Sequence, residues 1–254
     1  MKFFILGCQR SGTTLMRLVM DSHPDIKCFS EPESYQALEN GYESDYTTGF
    51  HVPIWTELFY EYDSIKSHLE LGSHQRCRME HMHHELLAKQ VSGWPIVFMY
   101  RNIYDVYSSM KNLNGFIQKE VIEKIEAWKD DPNRCFSKYD VDLSNPVLCA
   151  AQYFDYKNSS CEILRTFGCD VLPVSYDNFV HSPERHTKAI CYWLGIPFHQ
   201  DMLRHHEVEH SGVSKNGITM GNTDARRPID TNSHHKDDLS QSELSILQRY
   251  DPWH

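Results

Sequence analysis

The segment Gly7-Cys8-Gln9-Arg10-Ser11-Gly12-Thr13-Thr14 has the spacing of a phosphate loop, and it lies between an apolar run and a helical pattern. Backbone amides in such a loop, with the positive end of a helix behind them, cradle an anion without needing a side-chain charge. In the nucleoside-triphosphatase form a Lys follows the second Gly and the next Ser or Thr holds magnesium. Here Thr13 takes the Lys place, and the loop's cation is Arg10. A second group of residues runs Tyr100-Arg101-Asn102-Ile103-Tyr104-Asp105-Val106-Tyr107-Ser108-Ser109. Arg101 follows an apolar run and Ser109 comes eight residues later, near two turns into the helix expected there. An Arg fork and a hydroxyl suit a dianionic monophosphate.

These residues need elements that bring them together. Lys2 to Leu6 reads as a strand, and Leu15, Leu18, Val19 and Met20 recur as a helix that ends before Pro24. Residues 34 to 50 are polar and without period, which predicts a loop or mobile cover. Trp55, Leu58, Phe59 and Tyr62 recur at helical spacing, and a helix is expected over Met79 to Lys89. Pro95 to Tyr100 is a continuous apolar run, as in a strand buried on both faces. Helices are expected over Ile103 to Lys111, Glu120 to Lys129 and Pro146 to Phe167, and a strand over Asp170 to Ser175. Ser182, Pro183 and Glu184 punctuate the start of another helix that Gly195 and Pro197 end, and residues 210 to 238 are polar and aperiodic. Ser240 with Glu243 forms a capping box that opens a terminal helix. Strands alternating with helices predict a single α/β domain over residues 1 to 254. Its sheet is mostly parallel and flanked by helices, with ligands at the carboxyl ends of the strands.

Composition narrows the function. The 254 residues carry a formal net charge of −10, so the surface as a whole cannot attract nucleic acid or anionic lipid, and any anion site is local. Mean hydropathy is −0.56 and no apolar run approaches the roughly 20 residues that span a bilayer, so a soluble, cytoplasmic chain without membrane partners is expected. The eight cysteines form no CxxC pair, which favours reduced thiols. Sixteen histidines include His81-Met82-His83-His84 and His205, His206 and His210, but no HExxH or Cys-His ligand set accompanies them. Solvated helix faces are the simpler reading, and the Trp55, Phe59 and Tyr62 stripe reads as core before acceptor pocket.

The loop together with Leu15-Met16-Arg17, Asp21-Ser22-His23-Pro24-Asp25-Ile26 and Glu31-Pro32 resembles the nucleotide-dependent sulfotransferases, chiefly the carbohydrate and tyrosyl-protein branches. The resemblance implies a P-loop-like sulfotransferase fold and the donor 3′-phosphoadenosine 5′-phosphosulfate (PAPS), which leaves as the bisphosphate PAP. It places Arg10, Ser11, Gly12, Thr13 and Thr14 around the 5′-phosphosulfate. Glu31, 21 residues after Arg10, falls where the tyrosyl-protein branch carries its catalytic Glu. Arg101 and Ser109 resemble the family's 3′-phosphate motif, with Ile103 in place of the usual Pro, and Tyr176 falls beside the nucleotide. Lys215, Arg226 and Arg227 lie in a segment similar to one that closes over the 3′-phosphate and adenine. Glu31 is then the general base, while Arg10 and Ser109 stabilise charge on the leaving side without a metal. Pro32-Glu33-Ser34-Tyr35 offers no basic cluster for acidic peptides, which favours a small-molecule, lipid or saccharide hydroxyl as acceptor. A magnesium-dependent nucleoside or nucleotide kinase is the alternative enzyme, and a noncatalytic nucleotide-binding protein the alternative outside enzymes.

Overall fold

The computed structural model describes residues 1–30, 33–34, 46–51, 93–130, 135–166, 168–219, 223–231 and 238–252. The expected helix over Met79 to Lys89, the Trp55 stripe, the His81 to His84 group and Glu31 lie outside them. The chain divides into two compact units: Met1–Ile54, Gly93–Arg101 and Cys169–Ser233 in the first, and Trp55–Ser92, Asn102–Gly168 and His234–His254 in the second.

The first unit holds a five-stranded sheet in the order β2-β3-β1-β4-β5, with β1 (Lys2–Gly7), β2 (Ile26–Phe29), β3 (Thr47–His51), β4 (Ile96–Tyr100) and β5 (Val171–Ser175). Every pairing is parallel, as expected for apolar runs such as Phe3-Phe4-Ile5-Leu6 whose side chains are buried on both faces. On one face Phe3, Ile5, Val97, Met99 and Val174 pack with Met16, Val19 and Met20 of α1 (Thr13–Asp21). On the other, Phe4, Phe29, Phe50 and Trp94 form an aromatic cluster with ring centroids 5.0 to 5.9 Å apart.

Two strands were not legible. Residues 34 to 50 read as a loop, yet Thr47–His51 is a central strand, and Ile26–Phe29 pairs with it at the sheet edge. Thr47-Thr48-Gly49-Phe50-His51 hides its character because Gly49 interrupts it. A Cβ there would stand 2.5 Å from the Phe3 ring and 2.6 Å from Cys28 Sγ, so the glycine is the gap into which both neighbours pack.

The second unit contributes α2 (Ile103–Lys111), a π-helical stretch (Ile117–Ile122) continuing into α3 (Glu123–Trp128), and α4 (Pro146–Thr166). Beyond β5, the first unit adds α5 (Tyr176–His181) and α6 (Pro183–Trp193), and the second closes with α7 (Gln241–Leu247). Within the second unit Trp128 stacks on Tyr153 at 5.8 Å and meets Phe136 and Tyr156, and the Lys157 ammonium lies 5.2 Å from the centroids of the Trp128 and Tyr153 rings.

Termini follow the expected chemistry with one exception. Ser240 and Glu243 form the capping box of α7, and Gly195 (φ +69°) ends α6 through Ile196 N–H donating to Cys191 O and Gly195 N–H to Tyr192 O. Ser182 holds the N-cap position of α6, but its side chain makes no capping bond. No described helix is long and apolar enough to cross a membrane.

Candidate functional site

The β1–β4 register sets Gly7 opposite Met99, so the loop leaving β1 and Arg101 leaving β4 emerge side by side at the carboxyl end of the sheet. The β4–β5 register pairs Tyr100 with Ser175, which brings Arg101 beside Tyr176 in the same way. Three sequence-distant segments therefore meet where a parallel sheet binds ligands.

The loop is sterically fixed. At Gly7 a Cβ would lie 2.4 Å from Met99 O, and Ser11 N–H closes a turn onto Cys8 O at 3.1 Å. Gly12 (φ +91°) is doubly required, since a Cβ would also stand 2.2 Å from Cδ2 of Tyr176. Arg10 is the one described non-glycine residue with positive φ, at 71°. That conformation costs of order 1–3 kcal/mol and is a mark of functional loops. No side chain caps the N-terminus of α1 and no acid sits in its first turn, so its leading amides and dipole present positive potential to the loop.

The two cations are neighbours. Arg101 is 7% exposed, and its Nη1 donates to the Arg10 carbonyl at 3.4 Å. Burial lowers the pKa of the Arg10 guanidinium, and the nearby Arg101 charge lowers it further, while Tyr176 opposes both. Two guanidiniums and a helix N-terminus in one crevice repel each other unless a polyanion lies among them. Ser11 Oγ is fully buried and has no hydrogen-bond partner among the described residues, so a donor stands ready in the same loop. These groups suit a polyanionic ligand.

Of the residues read from the sequence, Arg10, Ser11, Gly12, Thr13, Thr14, Arg101 and Tyr176 come together in the first unit. Ser109 is half-buried in α2 of the second unit. Asn102 caps that helix, accepting from Asp105 N–H at 2.8 Å, so it supplies the start that the missing Pro at position 103 would have set. Lys215 is exposed in a loop with antiparallel bridges at Val213–Thr219 and Ile218–Asp224, in place of the aperiodic run expected. Arg226 contacts Asn216 O and Asp224, and Arg227 lies 3.7 Å from Asp230.

The sequence reading passed over a group behind the loop. Buried Arg17 donates to Ser211 O at 3.0 Å, and Glu33 Oε2 accepts from Ser30 N–H (2.9 Å), Ser30 Oγ (2.6 Å) and Ser211 Oγ (3.0 Å). His210, expected on a helix face, is buried instead. Its Nδ1 faces Asp21 Oδ2 and its Nε2 faces His205 O, each at 2.8 Å. The ring thus ties α1 to the segment after residue 204. The signal for Glu33 was present: Ser30-Glu31-Pro32-Glu33 has the S-x-x-E form recognised at Ser240. No group of three or more His, Cys, Asp or Glu among the described residues is arranged to hold a metal.

Residues 2–53, which include β1, the loop and α1, match the model described as "Sulfotransferase family". The chain is 23% identical over 239 residues to a putative protein-tyrosine sulfotransferase of Caenorhabditis briggsae, covering 90% of this chain and 77% of that protein. It is 21% identical over 234 residues to protein-tyrosine sulfotransferase 2 of Gallus gallus, covering 89% of this chain and 60% of that one. Over residues 2–53 and along most of its length the chain is thus similar to sulfotransferases. Its fold agrees: a mouse sulfotransferase solved in complex with PAP superposes with a TM-score of 0.55 at 14% identity, over 98% of this chain and 82% of that one. The fold of the chain is thus that of the solved sulfotransferases, an α/β architecture with a parallel sheet.

Proposed function

We propose that this enzyme transfers a sulfuryl group from PAPS to a hydroxyl acceptor. The observation that carries the reading is the adjacency of Arg10 and Arg101 at the end of β1 and β4, on a loop whose amides and buried Ser11 hydroxyl are donors. PAPS supplies the SO3 unit and departs as PAP. The chain's own residues bind and orient. Loop amides, Arg10 and Thr14 hold the 5′-phosphate side, where negative charge grows as the sulfur–oxygen bond breaks. Arg101 takes the 3′-phosphate. Glu31 removes the acceptor proton as its oxygen bonds to sulfur. The transferred group bears one negative charge, so fixed donors and Arg10 do the work that magnesium and Lys do in phosphoryl transfer.

The acceptor we propose is a small-molecule, lipid or saccharide hydroxyl, because Glu33 stands in the segment after β2 as a carboxylate and adds no cation for an acidic peptide. The second reading is a protein tyrosine, which the named relatives favour. The test is incubation with labelled PAPS and a panel of sugars, phenols, aliphatic alcohols and tyrosine peptides. Label on an alcohol or sugar supports the first reading and label on a peptide the second. No transfer to any member, with PAP binding intact, turns the assignment toward a noncatalytic binder.

A further inference from the structure

In the order β2-β3-β1-β4-β5 the sheet ends on β2, whose far side meets no described strand. Thr47 N–H donates to Asp25 O at 3.2 Å, so the alternation of a parallel ladder turns the amides of Lys27 and Phe29 toward β3 and those of Ile26, Cys28 and Ser30 away from it. These outward donors are all occupied. Ile26 N–H donates to His23 O at 3.1 Å, Cys28 N–H to Asp21 Oδ1 at 2.8 Å and Ser30 N–H to Glu33 Oε2 at 2.9 Å.

Both carboxylates also face residues 210 to 212. His210 Nδ1 lies 2.8 Å from Asp21 Oδ2, and Ser211 Oγ donates to Glu33 Oε2 at 3.0 Å. Arg17 of α1 donates to Ser211 O, and Gly212 lies so close to Ser30 that a Cβ would stand 2.5 Å from its Oγ. Residues 210 to 212 thus follow the edge at one remove, with a carboxylate in place of a ladder bond at Cys28 and at Ser30. Every contact is local to the first unit. Burial pushes the Glu33 pKa up, but the Ser30 and Ser211 hydrogen bonds and the Arg17 charge outweigh that and hold it below the usual carboxylate range. The group stays charged, and charge at a sheet edge deters a further strand.

We propose that Asp21, Glu33 and residues 210 to 212 form a plug on the edge of β2, and that what the plug excludes is β2 of a second copy of this chain. An open edge presents free N–H and C=O groups at every second residue, a template for pairing. Two copies of one edge, related by a twofold axis, run antiparallel and meet donor to acceptor without any other sequence being needed.

The experiment compares the full chain with two double variants. Asp21→Leu with Glu33→Met removes both acceptors, whereas Asp21→Asn with Glu33→Gln keeps an oxygen at each place. In the first, exchange of the Cys28 and Ser30 amides is expected to rise at least about tenfold in dilute solution and to slow again as concentration increases, while sedimentation shows dimers or larger species. The second keeps parental exchange and sedimentation. Parental exchange in the first variant would overturn the proposal, and so would exchange that stays fast at every concentration, since β2 would then remain open in any assembly formed. Equal self-association of the Asn and Gln variant would assign the effect to lost charge and overturn it too. If the Leu and Met chain fails to fold by near-ultraviolet circular dichroism, Glu33→Met alone decides. Ser30 must then exchange faster and regain protection with concentration, while Cys28 keeps its parental rate in dilute solution; an unchanged Ser30 discards the plug.

Discussion

The guanidinium carbon of Arg101 lies 4.3 Å from the centroid of the Tyr176 ring, and the edge of that ring lies against Gly12. Tyr176 thus reaches both the cation and the loop. A cation over an aromatic face is worth about 0.5–2 kcal/mol, rising as the pair is desolvated, and Arg101 is buried. Tyr176 therefore holds Arg101 in place as well as walling the crevice.

If so, Tyr176→Ala weakens binding of 3′,5′-adenosine bisphosphate more than binding of adenosine 5′-phosphate. The ratio of the two affinities falls about 3- to 10-fold, while Tyr176→Phe keeps it. Titration calorimetry of both nucleotides on the three proteins decides the matter. Equal losses for both nucleotides would mean that the ring serves the 5′ side alone.

Arg101→Ala removes charged hydrogen bonds to the 3′-phosphate and is expected to cost about 1.5–3 kcal/mol of bisphosphate affinity without added magnesium. The change also relieves Arg10 of the like charge that lowers its pKa. Adenosine 5′-phosphate affinity then stays level or improves, and a parallel drop for that ligand would place Arg101 elsewhere in the site.

Gly12→Ala puts a methyl group into the Tyr176 ring at a left-handed residue, so loop and ring must part. Bisphosphate affinity is expected to fall at least about tenfold, with a loss in Tm of a few degrees. Pairing it with Tyr176→Ala recovers part of the stability, since the obstruction is gone. A double variant no more stable than Gly12→Ala would locate the strain in the backbone alone.

Stability should decline in acid from an identifiable histidine. His205 is 1% exposed, and burial, then the His206 and His210 charges, lower its pKa to about 4, opposed by a backbone hydrogen bond at Arg227. The folded value lies below the unfolded one of about 6.5, so the contribution is present above pH 6.5 and is lost as pH falls toward 4. The span corresponds to about 3 kcal/mol. Denaturant melts of the parent and His205→Gln across this range should show a shallower decline in the variant. Parallel curves would clear His205 of the effect.

The phosphate loop, β4 with Arg101, and β5 with Tyr176 were legible because each is a local pattern: a glycine spacing, or an apolar run bounded by turn residues. Strand β3 was not, because Gly49 is explained by Phe3 and Cys28, residues remote in the chain that press on it from two other strands. The group behind the loop failed to show for a related reason. Arg17 and Asp21 look like ordinary polar positions of α1 until residues 210 to 212 return across that helix, and a polar stretch gives no sign of where it will dock. The Tyr176 contact with Gly12 is likewise a product of strand register, which periodicity does not encode.

The central place of β1 also has a consequence for biosynthesis. Strand β1, made before its neighbours, is flanked on one side by β3 and on the other by β4, and β4 is flanked in turn by β5, so sheet growth waits for segments far downstream. A ribosome that has delivered Arg10 has still to deliver Arg101 and Tyr176 before the crevice has walls. Until then a glycine-rich loop and the bare apolar edges of β1 stand open to chaperones or to other chains, the exposure expected of long-range parallel pairing. The nascent chain therefore acquires its anion site only after the codons for β5 and α5 have been read.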